Sequence, residues 1–176
     1  KVVVIRRHDE ELTKLQLVAG SFEHLTIEFF ASPAFSKLAT RTQKDYTGNA
    51  RFVLPVFGKM AAMSVKPQHI RQYMDKRGVT SEVRANREHS FMSKVFSWGY
   101  ERGKIAVNPC LKVRKFTETS RTRYITDDEY HAVLSCGKPL LMAAMEISYC
   151  AAARQGDVLD MTKEQLLDEG VLIKQG

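Results

Sequence analysis

The residues best equipped for chemistry stand near the C-terminal end, where Ala151-Ala152-Ala153-Arg154-Gln155-Gly156-Asp157-Val158-Leu159 follows the most apolar stretch of the chain. A guanidinium at the end of such a helix needs anionic company to be tolerated. Asp157, three residues on, can supply it. The spacing admits two outcomes: a buried Arg–Asp pair that only orients two elements, or a site that faces a ligand. Metal chemistry has less support. Cys110, Cys136 and Cys150 are far apart, and none of the five His supplies a partner at zinc-ligand spacing. The cysteines read as reduced, cytosolic thiols, which makes the expected location cytoplasmic, and no metal or other cofactor is expected.

A second kind of chemistry, the grip on a polyanion, is spread over the middle of the chain. In the segment after Thr40, Arg41, Lys44, Gly48 and Arg51 share one helical face, so three cations surround a residue with no side chain. Glycine inside a helix costs about 1 kcal/mol relative to alanine, which invites the reason that a phosphate backbone approaches there. In the segment from Ser81 to Arg102, Asn86, Ser90, Ser93 and Ser97 line one side, edged by Arg87 and Lys94. Small polar residues between cations suit a groove-facing helix, because they can donate to phosphates or bases without holding the backbone away. Lys112, Arg114, Lys115, Arg121 and Arg123 then punctuate a stretch rich in Thr and Ser, which reads as an extended basic linker able to lie along a duplex.

The distribution of charge supports the same partner. The net charge of +7 is not spread evenly: residues 37–123 hold nineteen Lys and Arg against six Asp and Glu, a balance of +13, whereas residues 1–36 carry −1 and residues 124–176 carry −5. An excess this lopsided favours a polyanion partner, whose counterions are released on binding. With 44% hydrophobic and 27% charged residues the chain is globular. Its longest apolar run, Leu140 to Ala153, is broken by Glu146 and falls short of the roughly 18–20 residues of a membrane span, so no membrane partner is expected. The opening Lys-Val-Val-Val-Ile-Arg-Arg lacks an initiator Met and is too short in its apolar part for a signal peptide, and it reads as the start of an excised piece.

The elements that must position these residues are mostly helices. Residues 1–20 form an arm. Phe22, Leu25, Phe29 and Phe30 predict a first helix ending near Ser32-Pro33. Thr40 with Gln43 suggests a capping box for a second helix, with Tyr46, Ala50, Val53 and Leu54 inward and Pro55 and Gly58 as its stop. Pro67 opens a third helix that Gly78 closes, and Ser81 to Arg102 gives a fourth, packing Phe91, Met92, Val95, Phe96 and Gly99. Trp98 and Tyr100 fit core packing better than stacking platforms. Thr126 and Glu129 form a second capping box before a short helix, and Pro139 starts a helix apolar nearly all round, which predicts a second core. Gln165-Leu166-Leu167 and Val171-Leu172-Ile173 read as hairpin strands turned by Asp168-Glu169-Gly170.

The order of these features resembles the phage-integrase branch of the tyrosine recombinases, over about Ser21 to Gly176. Val56-Phe57-Gly58-Lys59, Ser97-Trp98-Gly99-Tyr100-Glu101-Arg102-Gly103 and Asn108-Pro109 are similar to that family's core-binding domain, and Arg154-Gln155-Gly156-Asp157-Val158-Leu159 to its first catalytic motif. The resemblance implies a mainly α chain: a SAM-like helical core-binding domain over 21–116, a basic linker over 117–125, and over 126–176 the N-terminal part of an α+β catalytic domain ending in a β-hairpin. It also implies site-specific recombination or integration of a mobile element, through a 3′-phosphotyrosine formed without ATP or metal, with the full-length protein a homo-tetramer on DNA and this piece a monomer. Arg154 then matches the first catalytic arginine, donating two parallel hydrogen bonds to non-bridging phosphate oxygens. Asp157 matches the acidic residue that orients that site.

Departures from the pattern set expectations too. Many members carry Gly-Leu where this chain has Ala152-Ala153, a small change in packing. Lys174 lies near the place of the hairpin lysine that serves as general acid, but reads as an ordinary strand lysine, the general acid being expected past Gly176. No His-x-x-Arg box is present, and none of Tyr46, Tyr73, Tyr100, Tyr124, Tyr130 and Tyr149 has the context of the nucleophile. The chain alone is therefore expected to bind DNA without cleaving it. A non-enzymatic helix-turn-helix regulator and a helical module for an acidic protein partner remain as alternatives.

Overall fold

The computed structural model describes residues 18–120 and 122–173, which fall into two compact units divided between Thr119 and Ser120. The expected arm over 1–20, apart from its last three residues, and the residues Arg121 and Lys174 lie outside the described residues. No helix among the described residues is long and apolar enough to cross a membrane.

In the first unit, α1 (Phe22–Phe30) starts where Ser21 accepts a hydrogen bond from the His24 amide at 3.2 Å, satisfying one of the donors a helix start leaves open. Its buried face is Phe22, Leu25, Thr26 and Phe29, and a one-turn helix, α2 (Pro33–Ser36), follows. α3 (Thr40–Phe57) ends at Gly58 as expected but departs from expectation at its start and at Pro55. Thr40 does not cap it; the Gln43 amide instead donates to the Leu38 carbonyl at 2.7 Å, tying the preceding loop to the first turn. Pro55 does not stop it. The missing N–H falls in the last turn, where Val53 and Phe57 anchor the backbone in the core, and the helix runs to Phe57.

α4 (Pro67–Gly78) and α5 (Glu82–Glu101) match the sequence pattern closely, with Pro67 at the first turn of α4 and Ser81 capping α5. α5 is the central helix: Phe91, Met92, Val95, Phe96 and Trp98 are all buried against α1, α3 and α4. Gly99 lets α1 approach, since a β-carbon there would sit 3.0 Å from the Leu25 methyls. Trp98 belongs to the core as expected, packed edge-on to Phe29, whereas Tyr100 is 58% exposed.

Beyond α5 the chain does not leave the bundle at Asn108-Pro109. Ile105, Asn108 and Cys110 are buried, Val113 and Phe116 pack on the core, and residues 105–118 form a strap over α5. Asn108 is its first bracket: its amide donates to the Ser93 carbonyl at 3.0 Å and the Ser97 hydroxyl at 2.9 Å, while its carbonyl accepts from the Cys110 amide at 2.8 Å.

In the second unit the Thr126–Glu129 capping box forms reciprocally and starts α6 (Asp127–Ser135). α7 (Pro139–Cys150) forms where expected, but no residue of it is buried, and Leu140 is 85% exposed. The second core is thus not closed among the described residues, where Val158 is the one buried apolar side chain. Fifty-odd residues bury too small a share of their surface to enclose a helix that is apolar nearly all round. α8 (Gln155–Leu159) follows, and then β1 (Leu166–Leu167) pairs antiparallel with β2 (Gly170–Val171). The turn is Asp168-Glu169, with Gly170 inside the ladder opposite Leu167.

Candidate nucleic-acid interface

α3 and α5 bring cations from two stretches of sequence into one cleft of about 450 Å³. Arg41, Lys44 and Gly48 line it from α3, and Arg84 and Arg87 from α5. Nothing lies within 4 Å of where a β-carbon on Gly48 would stand, so the floor is open at its centre. Arg41 meets Asp45 at 3.6 Å, an exposed pair worth little against solvent, which leaves the cleft strongly positive. Arg84 is absent from the sequence reading; its signal was the i, i+3 spacing to Arg87, which puts both on one face. Arg51 and Lys94 are exposed without lining the cleft.

The polar side of α5 needs correcting. Asn86 is 3% exposed, and its side chain is committed to the strap: the amide donates to the Phe116 carbonyl and to Glu118, both at 2.9 Å, and the carbonyl accepts from the Phe116 amide at 2.9 Å. Ser90 donates to the Asn86 backbone carbonyl at 2.8 Å and accepts from the Lys115 ammonium at 2.7 Å. With Ser93 and Ser97 held by Asn108, this side of the helix is the seat of the strap, and Asn86 presents nothing to a groove. The expectation failed because helical projection shows which residues share a face, not what a segment thirty residues away lays over it.

The second unit places Arg154 and Asp157 on a turn. α7 ends in a left-handed residue, Ala152 at φ +49°, with the Ala153 amide donating back to the Ser148 carbonyl at 3.1 Å. Arg154 is then the extended residue before α8, and Asp157 lies in the first turn of that helix. Arg154 is exposed and Asp157 half-buried. The Ala152-Ala153 departure is felt in the backbone rather than in packing: alanine occupies a conformation that favours glycine. Arg123 pairs with Glu129, holding the start of α6.

No protein-family model and no curated protein matches the sequence. The fold, however, is shared with lambda integrase. Among solved structures the chain is similar to lambda integrase in three settings: a dimer bound to a COC′ core site (TM-score 0.71, 18% identity, 88% of this chain and 44% of that one), a tetramer bound to a Holliday junction (TM-score 0.75, 17%, 88% and 47%), and a complex with DNA (TM-score 0.68, 18%, 88% and 54%). The likeness is one of fold, and the chain spans about half the length of these structures.

Proposed function

We propose that this chain is the DNA-gripping part of a site-specific recombinase, with the α3/α5 cleft as its hold on double-stranded DNA. The observation that carries this is the convergence of Arg41, Lys44, Arg84 and Arg87 on one open cleft, in a fold that lambda integrase also has. Four cations around a floor without a side chain can meet the charges of a phosphate backbone, and each phosphate neutralised releases counterions. The lambda integrase structures, all bound to DNA, support the assignment by fold.

In the same reading Arg154 grips the scissile phosphate. Its planar guanidinium can donate two parallel hydrogen bonds to non-bridging oxygens, a match a lysine lacks. Asp157, in the first turn of α8, orients that site. The 3′-phosphotyrosyl step needs a nucleophile and a His-x-x-Arg box that this sequence does not hold, so the chain alone binds without cutting. The complete recombinase works as a tetramer on paired sites, and this chain without DNA is a monomer.

The test is a nicked suicide duplex that traps any covalent intermediate. The chain should shift the duplex in a gel at moderate salt and give no protein–DNA adduct resistant to denaturant. An adduct, or no binding at low salt, would overturn the proposal.

A further inference from the structure

The strap carries cations of its own. Val113 and Phe116 turn inward, while Lys112, Arg114 and Lys115 are exposed. Among the described residues none of these three meets a carboxylate; Lys115 is held by the Ser90 hydroxyl, and the Arg114 carbonyl accepts from Arg71 at 3.0 Å. A second cleft, of about 470 Å³, opens between the first turns of α4 and the strap, lined by Arg71, Lys112 and Arg114. Around α5, Arg84, Arg87, Lys94, Ser90 and Asn86 follow one another in that order. The cations of the first cleft therefore continue through Arg87 and Lys94 to the edge where the strap sits.

Several contacts hold the strap at this edge, and the tightest group of them surrounds Phe116. Its backbone is bonded in both directions by the Asn86 side chain. Its ring lies 4.8 Å from the Arg71 guanidinium and against Gly78, where a β-carbon would come within 2.7 Å of it. If the strap only sealed the core, its outward residues could be of any type; the three that face outward at 112–115 are all cations instead. An unlatched cationic segment would have to be ordered on each binding event, at an entropic cost that a latched one avoids.

We propose that Asn86 is a positioning residue: by latching Phe116 it holds Lys112, Arg114 and Lys115 as the continuation of the phosphate-binding track, so that the strap and not the polar side of α5 meets DNA. This rests on the DNA-binding role proposed above and adds to it a second contact surface and the residue that aligns it.

The experiment measures duplex affinity of the full chain against salt for four proteins: wild type, Lys112→Gln/Arg114→Gln/Lys115→Gln, Asn86→Asp, and the two sets combined. Aspartate cannot donate to the Phe116 carbonyl and faces Glu118 with like charge, so the latch opens. The triple variant touches no backbone latch and should reduce the slope of log K against log salt by about 2 to 3, roughly 0.9 for each lost phosphate contact. Asn86→Asp should reduce it in the same direction, speed hydrogen exchange at the Phe116 amide, and add little to the triple variant, because the two act through the same contacts. Should Asn86→Asp fail to fold, the triple variant alone decides whether the strap binds. A triple variant with unchanged affinity and slope would overturn the proposal while leaving the α3/α5 cleft in place, and full additivity of the two sets would overturn the role of Asn86. Absence of DNA binding by the wild type would remove the underlying role itself.

Discussion

Ala152 shows how one side chain can matter through its backbone. An L-residue with a β-carbon at φ +49° is strained relative to glycine, by about 1–2 kcal/mol before the greater freedom of unfolded glycine is subtracted. Ala152→Gly should therefore stabilise the turn that presents Arg154 by about 1 kcal/mol, readable as slower hydrogen exchange at the Ala153 amide. His89 is a second case. It is buried on α5, and burial is the main cause holding its pKa below the usual histidine value; the Lys115 and Arg71 cations add to this and the Cys110 backbone offsets part. Its folded pKa is depressed, so the unfolded chain takes up the proton first. Stability of the first unit should be flat in this contribution above about pH 6.5 and fall as pH drops below it toward the folded value. His89→Gln should remove that part of the pH slope in urea titrations. The Cys110 thiol, pushed up to about 12 by burial, contributes no charge in this range.

At the scale of elements, the joint between α4 and α5 rests on a group the amphipathic pattern does not reveal. Glu88 is fully buried, and Arg77 of α4 reaches it with two nitrogens at 3.0–3.1 Å while the Tyr73 hydroxyl donates to it at 2.8 Å. Burial first, then the neighbouring Glu88, raises the Tyr73 pKa, so the phenol keeps its proton and remains a donor. Removing one partner of a buried pair strands the other charge. Arg77→Ala should cost on the order of 3 kcal/mol in chemical denaturation, whereas Arg77→Lys, which keeps a charge but not the two-pronged geometry, should cost less. Helix existence was legible because α1, α4 and α5 announce themselves by apolar spacing and by Ser21, Pro67 and Ser81 at their starts. What was not legible is long-range: the strap over Asn86 and Ser90, the Arg77–Glu88 joint, and Arg84 as a wall of the cleft all depend on which segments pack together. Periodicity carries no information on that. Pro55 and Gly78 read correctly as punctuation near helix ends, yet Pro55 sits inside its helix and Gly78 also makes room for the Phe116 ring.

Across the whole molecule, the division of charge read from the sequence follows the division of structure. The cations that line the two clefts all belong to the first unit, while the acidic balance of residues 124–176 falls within the second. The two units also differ in how fully they are built. The first encloses a core of aromatic and aliphatic side chains from α1, α3, α4, α5 and the strap; among the described residues of the second, none covers α7 fully. The fold class was legible from the order of short motifs, confirmed as a fold by likeness to lambda integrase, whereas the site was legible only in part: Arg41, Lys44 and Arg87 converge, Asn86 turns inward, and Arg154 proves exposed. The measurement that tests the central claim most directly is the salt dependence of duplex binding by Arg41→Ala/Lys44→Ala/Arg84→Ala/Arg87→Ala beside the wild-type chain. With four phosphate contacts removed, affinity at low salt should fall by at least about tenfold and the slope of log K against log salt should shrink by about 3 to 4, with the fold intact by circular dichroism. An intact variant that binds duplex DNA with the wild-type affinity and slope would contradict the assignment of the α3/α5 cleft as the grip on DNA.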